Sequence, residues 1–228
     1  MLEYIIGAAY GLMLGALTWL TLHQTYCRRC KVFDLLSEKK EYPSLPIKPI
    51  VVTMLVVLTA VGTAAATFFV LRRVPDTANR LRLLPMLIPT VAAGMIDLRE
   101  NRIPNVLVLF LTAIGIGFLT YIFFAERDFF ESYLVSSAIA CIGTVVLLAL
   151  ISKIAKKGIG AGDIKLLGGL GLAGGVHILI GTVLFGTIGF LIVGVALLLL
   201  KKKTWKSSLP FGPFILLGLL LTLVFYSY

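Results

Sequence analysis

Apolar residues run along this chain in stretches of about 20, the length a helix needs to cross a bilayer, and short segments rich in Lys, Arg, Gly and Pro separate them. The runs fall near 3–22, 49–71, 81–99, 103–125, 132–152, 163–178, 180–200 and 208–227. They predict an all-α fold, a polytopic membrane bundle of about eight helices. Pro85 and Pro89 interrupt the third run, and a kinked helix is tolerated in a membrane where neighbours satisfy the freed carbonyls. The sixth and seventh runs come from one apolar stretch too long for a single pass. The split is placed at Gly174, Gly175 and His177, where helix propensity is weakest.

Composition supports this class. Hydrophobic residues make up 59% of the 228 positions and charged residues 14%, with a mean hydropathy of +1.00, well outside the range of soluble domains. The formal charge of +10 does not signal nucleic acid, because the bases sit in clusters between apolar runs. Of 21 Lys and Arg, sixteen fall in one set of alternate loops and five (Arg72, Arg73, Arg80, Arg82 and Arg127) in the other. The richer set is expected on the cytoplasmic side, although the stretch from Leu71 to Arg82 runs locally against that bias. The first run has Glu3 and no base before it and no small-x-small site after it, so it is expected to be a retained helix. Tyr4, Tyr133, Trp205, Tyr226 and Tyr228 fall near run ends, as interfacial belt residues should.

Two acids stand out. Asp97, in MIDLRENRIPN, and Asp163, in GIGAGDIK, lie directly against apolar runs. An Asp in that position costs about 2.5–3.5 kcal/mol on insertion scales, so it is a functional candidate by default. The orientation places Asp97 at the end of the third helix and Asp163 at the start of the sixth, at one depth on one face. Two carboxylates converging there would share a proton and activate a water. The plainer reading of Asp163 is a helix N-cap, and that of Pro104 is the first position of the fourth helix. Gly158, Gly160 and Gly162 precede the sixth helix and read as a loop that lets an extended peptide approach the carboxylate. Gly171 and Gly175 have the spacing of a close helix-packing face. Arg99 and Lys165 each follow an Asp by two residues, a spacing that suits snorkelling to headgroups better than pairing.

At these positions the chain resembles the type IV prepilin peptidases. Asp97, Arg99, Ile103, Pro104 and Asn105 match the D-x-R-x-x-x-I-P-N run of that family, and Gly160, Gly162, Asp163 and Lys165 match its G-x-G-D-x-K run. Pro210, Phe211, Gly212 and Pro213 resemble its P-F-G-P segment. The G-x-G-D run also occurs in presenilin-like proteases, and three motifs in the right order narrow the match. The resemblance covers 81–228, read as a six-helix aspartic peptidase core. Residues 1–80 read as a helix pair with a reduced cytoplasmic loop at 23–48. The implied activity is an aspartic endopeptidase of the inner membrane. It removes a short basic leader from prepilins or pseudopilins, cutting after a Gly at the cytoplasmic face, with Asp97 and Asp163 as the catalytic pair. Arg99, Pro104, Asn105, Gly158, Gly160, Gly162 and Lys165 are the accompanying candidates for substrate contact. The expected partners are the prepilin substrates and the lipid bilayer.

Many members carry two C-x-x-C pairs in the first loop, resembling a four-thiolate zinc site, and this region accompanies N-methylation of the new terminus with S-adenosylmethionine. Here only Cys27 and Cys30 are present. With His23 they make three ligands where structural zinc wants four, so zinc is not expected, no cofactor is expected for peptide cleavage, and S-adenosylmethionine enters only if methyl transfer is retained. Cys141 reads as a buried apolar residue and His177 as an interfacial polar one. The rival from another class is a small cation or proton transporter using the same two acids. Against it stand the placement of both acids at one face and the lack of an evident inverted repeat.

Overall fold

In a computed structural model, residues 49–74, 76–154, 160–200 and 209–225 are described, with residues 9, 13 and 16 in isolation. Among these residues the fold is all-α, with seven helices: α1 (Pro49–Arg73), α2 (Thr77–Leu83), α3 (Leu87–Glu100), α4 (Asn105–Ala125), α5 (Arg127–Ile154), α6 (Ala161–Leu199) and α7 (Gly212–Phe225). Four stretches among the described residues are long and apolar enough to cross a membrane, Ala78–Leu98, Asn105–Ala125, Arg127–Ile154 and Ala161–Leu199, and Gly212–Phe225 is a shorter apolar helix. The chain is a multi-pass membrane protein. The expected first helix, the 23–48 loop and Gly158 lie outside the described residues.

The two predicted irregularities are where the architecture is made. Pro85 lacks an N–H, and the third run breaks there into α2 and α3, bridged by turn bonds from Leu87 N–H to the Leu84 carbonyl and from Ile88 N–H to the Pro85 carbonyl. Pro89 falls in the first turn of α3, where a missing N–H leaves no helical bond unmade. The second irregularity is Gly175, inside α6, with φ of 72° and ψ of −178°. On a straight helix Asp163 and Phe190 would stand about 40 Å apart, yet both line one cavity. The second arm of α6 therefore doubles back beside the first, so the long stretch makes two passes as its glycines predicted.

Gly175 itself departs from expectation, because its position serves a bend and not a helix-packing face. A Cβ there would meet Arg82 Nη2 and Ser136 Oγ. Arg82, expected in an outer loop, is buried inside α2 at 6% exposure. Its Nε donates to the Ala173 carbonyl at 2.6 Å, and its guanidinium lies over the rings of Phe118 (4.9 Å) and Tyr133 (5.4 Å). Arg80 likewise donates to the carbonyls of Leu71 and Val74 at the end of α1. The local excess of Arg on this side is thus explained by carbonyl capping. Tyr133, expected in the interfacial belt, turns inward and bonds Asn79 at 2.8 Å.

Elsewhere α6 packs through small residues. Gly171 faces the Ala140 backbone on α5, Gly169 faces Leu111 on α4, and on the second arm Gly186 faces the Phe214 carbonyl on α7. Such contacts bring backbones close where lipid offers no hydrophobic drive for association. Buried Thr hydroxyls find partners within their own helix, as Thr63 does on the Thr59 carbonyl and Thr182 on the Ile178 carbonyl. The main core gathers Leu87 and Ile96 of α3, Leu111 of α4, Leu166 and Leu170 of α6, and Ile215 and Leu219 of α7. It fixes α3, α6 and α7 together, and those three elements carry the site.

Candidate active site

Asp97 sits in the last turn of α3 and is 5% exposed. Its setting is built by α7: Gly212, the first residue of that helix, donates its backbone N–H to Asp97 Oδ2 at 2.7 Å. A Cβ on Gly212 would lie 2.8 Å from both Asp97 Cβ and Oδ2, so only glycine lets the helix start reach the carboxylate. The first N–H groups of a helix have no partner within it, and Asp97 supplies one.

Asp163 is the third residue of α6 and half-buried. It does not cap the helix. Gly160 holds the N-cap position with extended backbone and without a side-chain bond. A Cβ on Gly160 would stand 3.0 Å from Asp163 Oδ2, so this glycine keeps the space beside the carboxylate open. The side chain is left to face the cavity that Asp97 also lines.

Both acids line a cavity of about 980 Å³. Its polar wall consists of Asp97, Asp163, Asn101, Thr144 and Thr187, and the rest is apolar, with Leu147 from α5, Leu167 and Val183 from the two arms of α6, and Phe211 before α7. Two carboxylates at the polar end of a long apolar chamber can activate water against a peptide whose neighbouring residues are apolar. A conducting path would need polar groups continuing along its length, and this wall has few.

The other expected residues divide into those beside the cavity and those apart from it. Gly160 lines it. Gly162 does not: a Cβ there would meet Ile103 Cβ at 3.2 Å, so this glycine lets α6 pack against the turn before α4. That turn is set by Asn101, the left-handed cap of α3 with φ of 49°, whose N–H donates to the Asp97 carbonyl. Pro104 is the N-cap of α4, with ψ of 134°, one position before the expected first turn. Asn105 opens α4 and accepts from Lys165 Nζ at 3.1 Å, so Lys165 ties α6 to α4 at an exposed edge. Arg99 lies in the last turn of α3. His177 is exposed just beyond the Gly175 bend. Cys141 is half-buried on α5. His23, Cys27 and Cys30 lie outside the described residues, and no group of three or more His, Cys, Asp or Glu is gathered for a metal among the described residues.

Residue-by-residue reading of the sequence missed Asn101, Thr144 and Thr187, since nothing marks them before α5 and the second arm of α6 are brought against Asp163. Gly212 was marked by its motif, but its contact with Asp97, 115 positions away, was not.

Comparison with known proteins gives a consistent picture. The model of the type IV leader peptidase family matches residues 84–227. The chain is 28% identical over 165 residues to the prepilin leader peptidase/N-methyltransferase of Pseudomonas putida, which covers 69% of this chain and 54% of that protein. It is 33% identical over 125 residues to the protein of the same name from Pseudomonas aeruginosa, covering 55% and 42%, and 30% identical over 125 residues to that of Stutzerimonas stutzeri. The chain spans about half the length of the curated relatives it matches. No solved structure matches the chain significantly.

Proposed function

Because this chain belongs to the type IV leader peptidase family, we propose that it is a membrane aspartic endopeptidase that removes the leader from type IV prepilins or pseudopilins. The observation that carries the reading is the pair Asp97 and Asp163 on the wall of one apolar chamber. The leader would lie at the polar end and the apolar mature segment along the Leu- and Val-lined wall. One carboxylate takes a proton from water as its oxygen attacks the scissile carbonyl carbon. The other, protonated, gives its proton to the leaving nitrogen as the C–N bond breaks. Two acids facing one site titrate as a unit, so the working state carries one proton on the pair.

The same reading orients the protein in the inner membrane with the acids toward the cytoplasm, where the positive-inside bias puts them. Residues 81–228 form the peptidase core in this reading. Gly160 admits the extended substrate beside Asp163, and Pro104, Asn105, Gly162 and Lys165 lie at the edge over which the leader enters; Arg99 and Gly158 stay candidates for substrate contact on their motifs. The relatives are named N-methyltransferases as well as peptidases; in this chain we assign methyl transfer from S-adenosylmethionine to no residue and route no step through it.

The test is conversion of each acid singly to Asn, followed by a gel-shift assay of prepilin in membranes. Asp97→Asn and Asp163→Asn should each abolish cleavage while the purified variants keep the helical content and melting temperature of the parent. Cleavage retained by either folded variant refutes the assignment.

A further inference from the structure

Arg82 lies far from both catalytic acids. Ala173, the residue it holds, is ten positions beyond Asp163, or about 15 Å along α6. An ionisable side chain within a membrane span is costly and marks a function by default. Its contacts converge on the bend. The left-handed turn at Gly175 removes the helical partners of the carbonyls before it and of the N–H groups after it. Arg82 Nε supplies a donor to the Ala173 carbonyl at 2.6 Å, and Ser136 Oγ accepts from Val176 N–H at 3.2 Å. The guanidinium packs against the rings of Phe118 and Tyr133, which meet each other edge to face at 5.3 Å. Tyr133 is held in turn by Asn79, and Asn79 by Asp76. Side chains of α2, α4 and α5 thus close on one bend in α6.

We propose that Arg82 is a positioning residue that sets the angle between the two arms of α6, and with it the width of the chamber beside Asp163. The first arm carries Asp163 and Leu167, and the second carries Val183 and Thr187 on the facing wall. Thr187 is twelve residues past the bend, so a change of about 10° there moves that wall by about 3 Å. Ser136 is the second stitch. Lys cannot replace Arg fully, since it lacks the planar fork that packs against aromatic rings while donating to a carbonyl.

This inference rests on the chamber receiving the prepilin's apolar segment, and the experiment separates the two claims. Nitroxide labels are placed at Ala161→Cys and Leu199→Cys, at the two ends of α6, in a protein whose Cys27, Cys30 and Cys141 are replaced by Ala. Pulsed dipolar spectroscopy then reads the distance between the arms without any substrate. Arg82→Gln should broaden that distribution or shift it by about 3 Å. In cleavage of full-length prepilin it should raise KM on the order of tenfold to a hundredfold, with a smaller change in kcat, and Arg82→Lys should recover part of both. An unchanged distribution, a fall in kcat at constant KM, or no recovery by Lys overturns the proposal. If the Gln variant does not accumulate, Arg82→Lys and Ser136→Ala decide it: a broadened distribution in both supports the proposal, and an unchanged one in either overturns it. Failure of the parent protein to cleave prepilin would count against the peptidase reading and leave the distances to judge Arg82.

Discussion

Gly212→Ala isolates the contact between α7 and Asp97 without touching either acid. The added Cβ would sit 2.8 Å from Asp97 Cβ and Oδ2 and 3.1 Å from Cγ. Carbon atoms in contact prefer about 3.5–4.0 Å, so α7 and the Asp97 side chain must separate by roughly 0.7–1.2 Å. That movement stretches the 2.7 Å bond from Gly212 N–H. Loss of a hydrogen bond to a charged group costs about 1.5–3 kcal/mol. A misplacement of about 1 Å at a reacting group reduces rates on the order of a hundredfold. Prepilin cleavage by the variant in native membranes, followed as initial rate against enzyme quantified by immunoblot, should fall by that order. The control is Gly143→Ala on α5, where an added Cβ meets nothing within 4 Å; it should cleave at the parental rate. A Gly212→Ala variant that cleaves within about twofold of the parent would show that the close approach does not position the carboxylate, and the reasoning would fail.

Gly218→Ala should destabilise the fold, because its Cβ would strike the Thr182 carbonyl and approach the Gly186 nitrogen at 2.7 Å. Overpacking of this kind costs about 1–3 kcal/mol, which should lower the thermal midpoint in detergent, whereas Gly117→Ala, with open space around it, should leave the midpoint unchanged or raise it. Metal analysis of purified protein should find zinc well below one equivalent, since Cys27 and Cys30 provide only half of a four-thiolate set. Mass spectrometry of the new N-terminus of a processed pilin then reads methyl transfer directly; an added methyl would show that the reduced loop suffices.

Both acids and both helix breaks were legible in the sequence for the same reason. In an apolar chain a charge or an unmade backbone bond is expensive, so Asp97, Asp163, Pro85 and Gly175 stand out against their surroundings. The same contrast misled at Arg82 and Tyr133. A rule that counts charges by loop, and places aromatic residues by run ends, cannot see a guanidinium folded inward onto a carbonyl and two rings. Asp163 was open to a capping role by position alone, and it was the backbone of Gly160 at the N-cap that released its side chain.

By itself the sequence determined the class of molecule, the apolar helices among the described residues, the family resemblance and the two acids as candidates, because length, hydropathy and local motif are properties of neighbouring residues. Which groups meet was decided only by the tertiary structure. The Gly175 bend turns the second arm of α6 back beside the first, bringing Thr187 and Phe190 to the cavity that Asp163 lines, and α7 docks its first N–H on Asp97 across 115 residues. The sequence marks both Gly175 and Gly212, but the angle of the bend at the first and the carboxylate met by the second depend on how the helices pack.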